Sequence, residues 1–96
     1  MESESNFQTG ELSSIEVSAE LQKVGNLTEA QVNDLIPELA SAEGNVRVSL
    51  SESDTKQAGV PCYVVNGPNN EEGHPSFTYL VVVKAPGNID VEDHTQ

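Results

Sequence analysis

The stretch Phe77-Thr78-Tyr79-Leu80-Val81-Val82-Val83-Lys84 is the longest apolar run of the chain, and the other predicted elements are arranged around it. It is rich in β-branched and aromatic residues, which favour extended structure. One of its two alternating faces is entirely apolar, and the other is apolar at its middle. A strand of this kind lies inside a sheet with other elements packed over it. We therefore predict that residues 77–84 form the central strand.

Two more strands are predicted before this central strand. Residues 46–50 alternate between apolar and polar, which is typical of a half-buried strand. Residues 60–65 form the next strand, and Pro61 places its start at an edge or a bulge because proline cannot donate to a strand ladder. The polar residues 51–59 are predicted to be a loop. Residues 66–76, almost all turn formers, predict a long hairpin loop.

The same capping pattern predicts two short helices in the first half of the chain. Ser13 is followed by Glu16, and Thr28 by Gln31, so each helix has an N-cap and the partner of a capping box three residues later. Gly25 is expected to end the first helix in a left-handed conformation.

Pro37 conflicts with the apolar periodicity of the second helix. A proline in a helix interior costs about 3 kcal/mol because it removes a hydrogen bond and crowds the preceding turn. We expect a helix over residues 29–36, then a kink or a new turn to residue 40, with Gly44 as its end.

These elements predict one α+β domain over residues 12–87. In it, an N-terminal hairpin of two short helices packs on a three-stranded antiparallel sheet, in the order α-α-β-β-β. Residues 1–11 are predicted to be a disordered acidic tail. Residues 88–96 are predicted to be an acidic C-terminal tail, to which Ile89 and Val91 can add a short edge strand. A chain of 96 residues has room for one domain.

The charge balance is the strongest global feature of the sequence. Sixteen acidic residues oppose four basic ones, which gives a net charge of −12. Such a surface repels nucleic acids and anionic membranes and attracts basic proteins. The first residues do not resemble a secretory signal, and the chain has a single cysteine, Cys62. Together these two features predict a reducing compartment, the cytoplasm. Acidity that serves only solubility or salt adaptation stays open as an alternative.

The reactive side chains form no pattern of catalysis or metal binding. Cys62 is expected to pack as a small apolar residue. His74 and His94 have no metal-ligand spacing with it, and no phosphate-binding or nucleophilic motif is present. We therefore expect a protein that is not an enzyme and has no cofactor and no metal.

Our first functional hypothesis is a small protein-binding module that engages a basic partner protein. One natural form is an inhibitor that occupies a nucleic-acid-binding surface, as phages and mobile elements encode. The helical half is the more acidic one, and long loops often carry binding residues. The predicted contact residues are Glu16, Glu20, Glu29, Asp34, Glu38, Glu71, Glu72 and His74.

A helix-turn-helix DNA-binding protein is one alternative, since two short helices surround Gly25-Asn26 with strands behind them. A recognition helix needs basic or amide side chains that reach bases and phosphates. The second helix offers Glu29, Asp34 and Glu38 instead, which argues against direct DNA binding.

From about residue 32 to residue 87, the order of elements resembles the stefin-type cystatins. It contains a helix, a strand, an Ala58-Gly59 step, two hairpin strands and Pro86-Gly87. Cystatins block papain-like proteases with an N-terminal glycine region and two hairpin loops, the first of which carries Gln-x-Val-x-Gly. Counting back from Gly59, Thr55 occupies the Gln place and Gln57 the Val place. The resemblance implies a cysteine-protease inhibitor as the other alternative.

Overall fold

The computed structural model describes residues 7–41 and 45–95, which form five strands and four helices. In chain order these are β1 (Gly10–Ser13), α1 (Ser14–Gly25), α2 (Glu29–Leu35), α3 (Glu38–Ser41), β2 (Asn45–Leu50), α4 (Glu52–Ala58), β3 (Cys62–Asn66), β4 (Thr78–Ala85) and β5 (Asn88–Asp93).

The five strands form one antiparallel sheet in the order β1-β2-β3-β4-β5, so β3 is the central strand. The run that was predicted to be central is an interior strand, β4, next to the edge strand β5. The domain is α+β, but the predicted three-stranded sheet with an N-terminal helical hairpin, α-α-β-β-β, is wrong. The two further strands lie at the edges of the sheet: β1 was not predicted, and β5 is the short edge strand that Ile89 and Val91 were expected to be able to add. They carry few apolar residues: Leu12 in β1, and Ile89 and Val91 in β5. The pairing of β1 with β2 joins distant segments and has no local sequence signal, whereas β5 pairs with β4 directly across the turn at Pro86-Gly87.

Both predicted tails contain residues of the sheet. Gly10 and Glu11 belong to β1, and residues 88–93 form β5. Phe7 is buried, and its ring lies 5.4 Å from that of Tyr63 between centroids. Residues 1–6 and 96 of the predicted tails lie outside the described residues.

The helix α4 replaces the loop that was predicted over residues 51–59. The hydroxyl oxygen of Ser51 accepts a hydrogen bond from the Asp54 amide, and Gly59 ends the helix with a φ of 76°. The prediction failed because α4 contains no large apolar residue and so has no hydrophobic period. The N-cap residue Ser51 and the C-terminal Gly59 were the sequence signals from which this helix could have been predicted.

The two predicted capping boxes are confirmed. The Ser13 hydroxyl accepts from the Glu16 amide at 3.1 Å, and the Glu16 carboxylate accepts from the Ser13 amide at 2.9 Å. Thr28 and Gln31 repeat the arrangement with the same two distances, 3.1 Å and 2.9 Å. Each pair satisfies two amides that a helix start leaves without partners.

Gly25 does not take the left-handed position that was predicted for it. Asn26 does, with a φ of 54°, and Gly25 is the last residue of α1. A Cβ on Gly25 would lie 2.8 Å from Cδ1 of Ile89. The glycine is therefore needed for the close approach of α1 to β5.

The break at Pro37 is confirmed. The helix α2 ends at Leu35, Ile36 leaves the helical region with φ −130° and ψ 80°, and α3 begins at Glu38. Buried Ile36 and Leu39 on either side of the proline hold both segments on the core. The predicted end of this region at Gly44 lies outside the described residues.

The main core lies between α1–α3 and one face of the sheet, which we call the inner face. The helix α1 crosses this face towards the β4–β5 turn, where the Gly87 amide donates to the Val24 carbonyl at 3.0 Å. The buried core residues are Phe7, Leu12, Val17, Leu21, Val24, Val32, Ile36, Leu39, Val46, Val48, Tyr63, Val65, Phe77, Tyr79, Val81 and Val83.

The opposite, outer face of the sheet is covered in part by α4. The Thr55 hydroxyl oxygen accepts from the Cys62 amide at 3.0 Å, and the Ser51 amide donates to the Cys62 carbonyl at 2.8 Å. These bonds fix α4 to the start of β3. The apolar outer residues of β4, Leu80 and Val82, lie beside it.

Candidate protein-binding site

Two of the predicted contact residues have roles inside the fold. The Glu16 carboxylate closes the capping box of α1. The Glu38 carboxylate accepts a 2.7 Å hydrogen bond from the hydroxyl of Tyr79 on β4, which fixes α3 to the sheet. Burial and this carboxylate raise the pKa of Tyr79 well above its usual range. Both side chains therefore contribute to the structure at neutral pH.

The other three helical acids, Glu20, Glu29 and Asp34, lie on the solvent side of the helices. Glu29 and Asp34 are exposed, and Glu20 is half-buried. Glu29 lines a groove where α1 meets α2 and α3, together with Ile15, whose side chain is 79% exposed. These carboxylates are therefore accessible to a partner.

The predicted loop residues lie on another part of the surface. Glu71, Glu72 and His74 are exposed. The side-chain oxygen of Asn70 accepts from the Glu72 amide at 2.9 Å and from the His74 amide at 3.1 Å, which shapes the tip of the loop. Glu72 and His74 line a polar groove together with His94. The eight predicted residues thus do not form one continuous site.

A groove on the outer face was missed by the sequence analysis, and we call it the outer groove. Cys62, Leu80 and Val82 form its floor, and Asp54, Gln57, Ala58 and Glu92 form its sides. The floor residues are apolar, and Cys62 and Leu80 are only 1% and 7% exposed, so little of the floor is open to solvent. The apolar middle of the outer face of β4 was visible in the sequence, but the helix that makes the groove was not predicted.

The electrostatic field of the outer groove is negative. Burial, and after it the carboxylates of Asp54 and Glu92, raise the pKa of the Cys62 thiol. The thiol is therefore held in its neutral form, which agrees with a packing role rather than a nucleophilic one.

Two basic residues on the outer face are paired with carboxylates of the same face. Lys84 Nζ lies 3.1 Å from an Asp90 oxygen, and an Arg47 guanidinium nitrogen lies 3.7 Å from a Glu11 oxygen. These ion pairs are exposed, so each contributes little to stability. They place each cation beside an acid of a neighbouring strand.

Comparisons with protein-family models, curated proteins and solved structures found no significant match to this chain. Within residues 7–41 and 45–95, no helix is long and apolar enough to cross a membrane. The same residues contain no cluster of three or more His, Cys, Asp or Glu side chains that could hold a metal ion.

Proposed function

We propose that this protein is a small, non-enzymatic binding module whose acidic surface engages a basic partner protein. One observation carries the proposal: no acidic side chain in the described part of the chain is buried. Thirteen of the sixteen acids lie in that part of the chain, and their charge therefore acts at the surface. A field of this kind steers a basic partner into contact and repels nucleic acid.

The partner that fits this surface carries a basic patch, such as the nucleic-acid-binding face of another protein. Covering that patch would make the module an inhibitor. The buried free thiol of Cys62 supports a reducing compartment, and we place the protein in the cytoplasm.

A pull-down of the tagged protein at low and high salt, followed by mass spectrometry, tests the proposal. Two charge-matched variants run beside it: Glu29→Lys with Asp34→Lys on the helices, and Glu71→Lys with Glu72→Lys on the loop. We expect a basic partner that is lost at high salt, because exposed charge pairs are screened. A partner that is acidic, or that stays bound equally at both salt concentrations, would contradict the proposal.

The sheet topology favours a second candidate, a cystatin-like inhibitor of cysteine proteases. Because the strands are antiparallel neighbours, the start of β1, the β2–β3 connection and the β4–β5 turn lie at one end of the sheet. Gly10 and the Pro86-Gly87 turn lie there, where cystatins have their glycine region and second hairpin loop. The chain departs from that family at the β2–β3 connection, which is the helix α4 with Thr55 and Gln57 at the motif places.

Papain activity on a small peptide substrate, measured with the protein in excess, separates the two candidates. An inhibitor that uses this end of the sheet loses potency with Gln57→Asp and keeps it with Glu71→Gln at the opposite end. Full papain activity in the presence of the protein would exclude the second candidate.

A further inference from the structure

We propose that the open edge of β5 binds an extended segment of the basic partner, which adds to the sheet as a further antiparallel strand with alternating apolar and basic side chains. This inference rests on the proposed function and assigns the site of contact. In such an addition the main-chain hydrogen bonds supply affinity, and the alternate side chains supply specificity.

The strand β5 has a neighbour on one side alone, β4, in the described part of the chain. The residues that follow β5 turn back to β4 and do not cover its open side. The His94 amide donates to the Thr78 carbonyl at 2.8 Å, and the Thr95 hydroxyl donates to the same carbonyl at 3.2 Å. The backbone of β5 therefore lies at the surface along residues 88–93.

The hydrogen-bond pattern shows which backbone groups of β5 face the open side. Residues of an antiparallel strand alternate between those that bond to the neighbouring strand and those that point away from it. His94 bonds to Thr78 of β4, and every second residue before it faces β4 by this alternation. The amides and carbonyls of the residues in between, Ile89, Val91 and Asp93, therefore face the open edge.

The inner side of this edge is apolar and only partly covered. Ile89, Val91 and Leu27 are half-buried against the core. A Cβ on Gly25 would lie 2.8 Å from Cδ1 of Ile89 and 3.1 Å from Cδ1 of Leu27, so these two side chains are neighbours. An added strand with inward apolar side chains would extend the core over them and remove their surface from water.

The outer side of the same strand is acidic. Asp90 and Glu92 are exposed there, and β5 contains a third acid, Asp93, and no base. Lys84 lies 3.1 Å from Asp90, and His94 lies 3.2 Å from Glu92, but these pairs are exposed and contribute little. Basic side chains on the outer side of an added strand would lie opposite these acids, where opposite charges stabilise strand pairing.

The same charges disfavour a second copy of this chain as the occupant. Antiparallel pairing that keeps the apolar sides of both copies together, for example around Val91, would place Asp90 opposite Glu92 of the second copy. Like charges in that position destabilise strand pairing. Charged residues on an edge strand thus keep copies of a protein apart, and here they leave the edge open to a strand of opposite charge.

The other edge strand, β1, is a poorer template for strand addition. It spans four residues, against six in β5. Gly10 at its start has a φ of 110°, outside the extended region, and Ser13 at its end is the N-cap of α1. The added strand is therefore assigned to β5.

An NMR titration of the ¹⁵N-labelled protein tests the assignment. The probe is acetyl-Lys-Val-Lys-Val-Lys-Val-Lys-amide, and its control is the block isomer acetyl-Lys-Lys-Val-Val-Val-Lys-Lys-amide, which has the same composition and charge. We expect the largest amide shifts and slower amide hydrogen exchange at Ile89, Val91 and Asp93, because these N–H groups gain carbonyl partners. The block isomer should bind about tenfold more weakly, because its basic and apolar side chains cannot face opposite sides of a strand.

N-methylated forms of the alternating peptide test the backbone contacts. In antiparallel addition the valines lie opposite the residues whose backbone groups are open, so the valine amides donate to β5 and the lysine amides face solvent. Methylation of the valine amides should weaken binding about tenfold or more. Methylation of the same number of lysine amides, which leaves charge and composition equal, should weaken it much less.

Two charge-matched variants test the acidic side of the edge. Asp90→Asn with Glu92→Gln should weaken binding of the alternating peptide about fivefold, because two cross-strand charge pairs are lost. Glu29→Gln with Asp34→Asn on the helices should weaken it much less. Amide spectra of the free variants check that each is folded.

The outcomes separate this inference from the proposed function. Equal binding of the alternating peptide and the block isomer, equal weakening by the two sets of N-methyl groups, or shifts confined to the helices or the loop overturns strand addition and leaves the basic partner standing. Concentration-dependent shifts of the β5 amides without peptide would show that a second copy pairs with this edge, which also overturns it. No binding of either cationic peptide at low salt overturns both.

Discussion

The hydrogen bond between Tyr79 and Glu38 gives the sharpest test of the fold. It joins the hydroxyl of a tyrosine on β4 to a carboxylate on α3, forty-one positions away in the chain, at 2.7 Å. We predict that Tyr79→Phe and Glu38→Ala each destabilise the protein, and that the double variant is little worse than either single one. Glu38 then stabilises the fold, whether or not it also contacts a partner.

The magnitude follows from the burial of the two groups. A hydrogen bond to a charged group contributes about 1.5–3 kcal/mol. Tyr79 is 5% exposed, but Glu38 is half-buried and keeps part of its hydration, so we expect a lower value. Each single variant should lose about 1–2 kcal/mol, with Glu38→Ala the more costly because it leaves the buried hydroxyl unpaired. In a domain of this size, 1 kcal/mol corresponds to a fall in Tm of about 4–8 °C.

Urea unfolding of the wild-type protein, the two single variants and the double variant measures the coupling free energy between Tyr79 and Glu38, which should be about 1 kcal/mol. Glu71→Ala, an exposed loop acid, serves as the control and should change the free energy of unfolding by less than about 0.5 kcal/mol. Additive losses in the double variant would refute the contact and, with it, the packing of α3 against β4.

The same contact predicts the behaviour at alkaline pH. The pKa of Tyr79 is raised in the folded state, so its neutral form is favoured there. Its contribution is complete below the pKa of an unfolded tyrosine, about 10, and is lost as the pH rises above that value. The wild-type protein should therefore lose stability above this pH more steeply than Tyr79→Phe. Equal slopes would show that the hydroxyl is not held as described.

Three further substitutions test single elements. Thr55→Val removes the hydroxyl that accepts a hydrogen bond from the Cys62 amide. It should destabilise the protein by about 1 kcal/mol and speed amide hydrogen exchange in α4 more than in α1. Unchanged exchange in α4 would contradict the docking of that helix. Gly67→Ala drives a methyl group into the ring of buried Phe77. It should lower the free energy of unfolding by about 1–3 kcal/mol and therefore lower the Tm. An unchanged Tm would contradict this packing. Thr28→Ala removes the N-cap of α2 and should cost about 1 kcal/mol in urea unfolding, whereas Thr28→Asn, which keeps a capping oxygen, should cost less.

The candidate site was less predictable than the helices. The sequence showed which residues are acidic, but not which carboxylates are used inside the fold. Glu16 was recognisable as a cap partner, whereas nothing near Glu38 in the chain predicts its bond to Tyr79. The outer groove needed α4, whose caps were readable in the sequence although its apolar period was absent.

Features that depend on neighbouring residues could be predicted from the amino-acid sequence alone. The two capping boxes join residues three positions apart, and the break at Pro37 follows from the missing amide hydrogen of proline. The net charge of −12 and the strand character of residues 77–84 are likewise properties of composition and local pattern.

Which segments complete the sheet, and which side chains meet, depends on contacts between distant parts of the chain. Leu12 pairs with Val46 across a long stretch of chain that includes three helices. Edge strands gain their stability from backbone hydrogen bonds to a neighbouring strand, and every residue except proline can donate such a bond. For that reason β1 has little signature of its own, and the groove between α4 and β5 exists only once the sheet has formed.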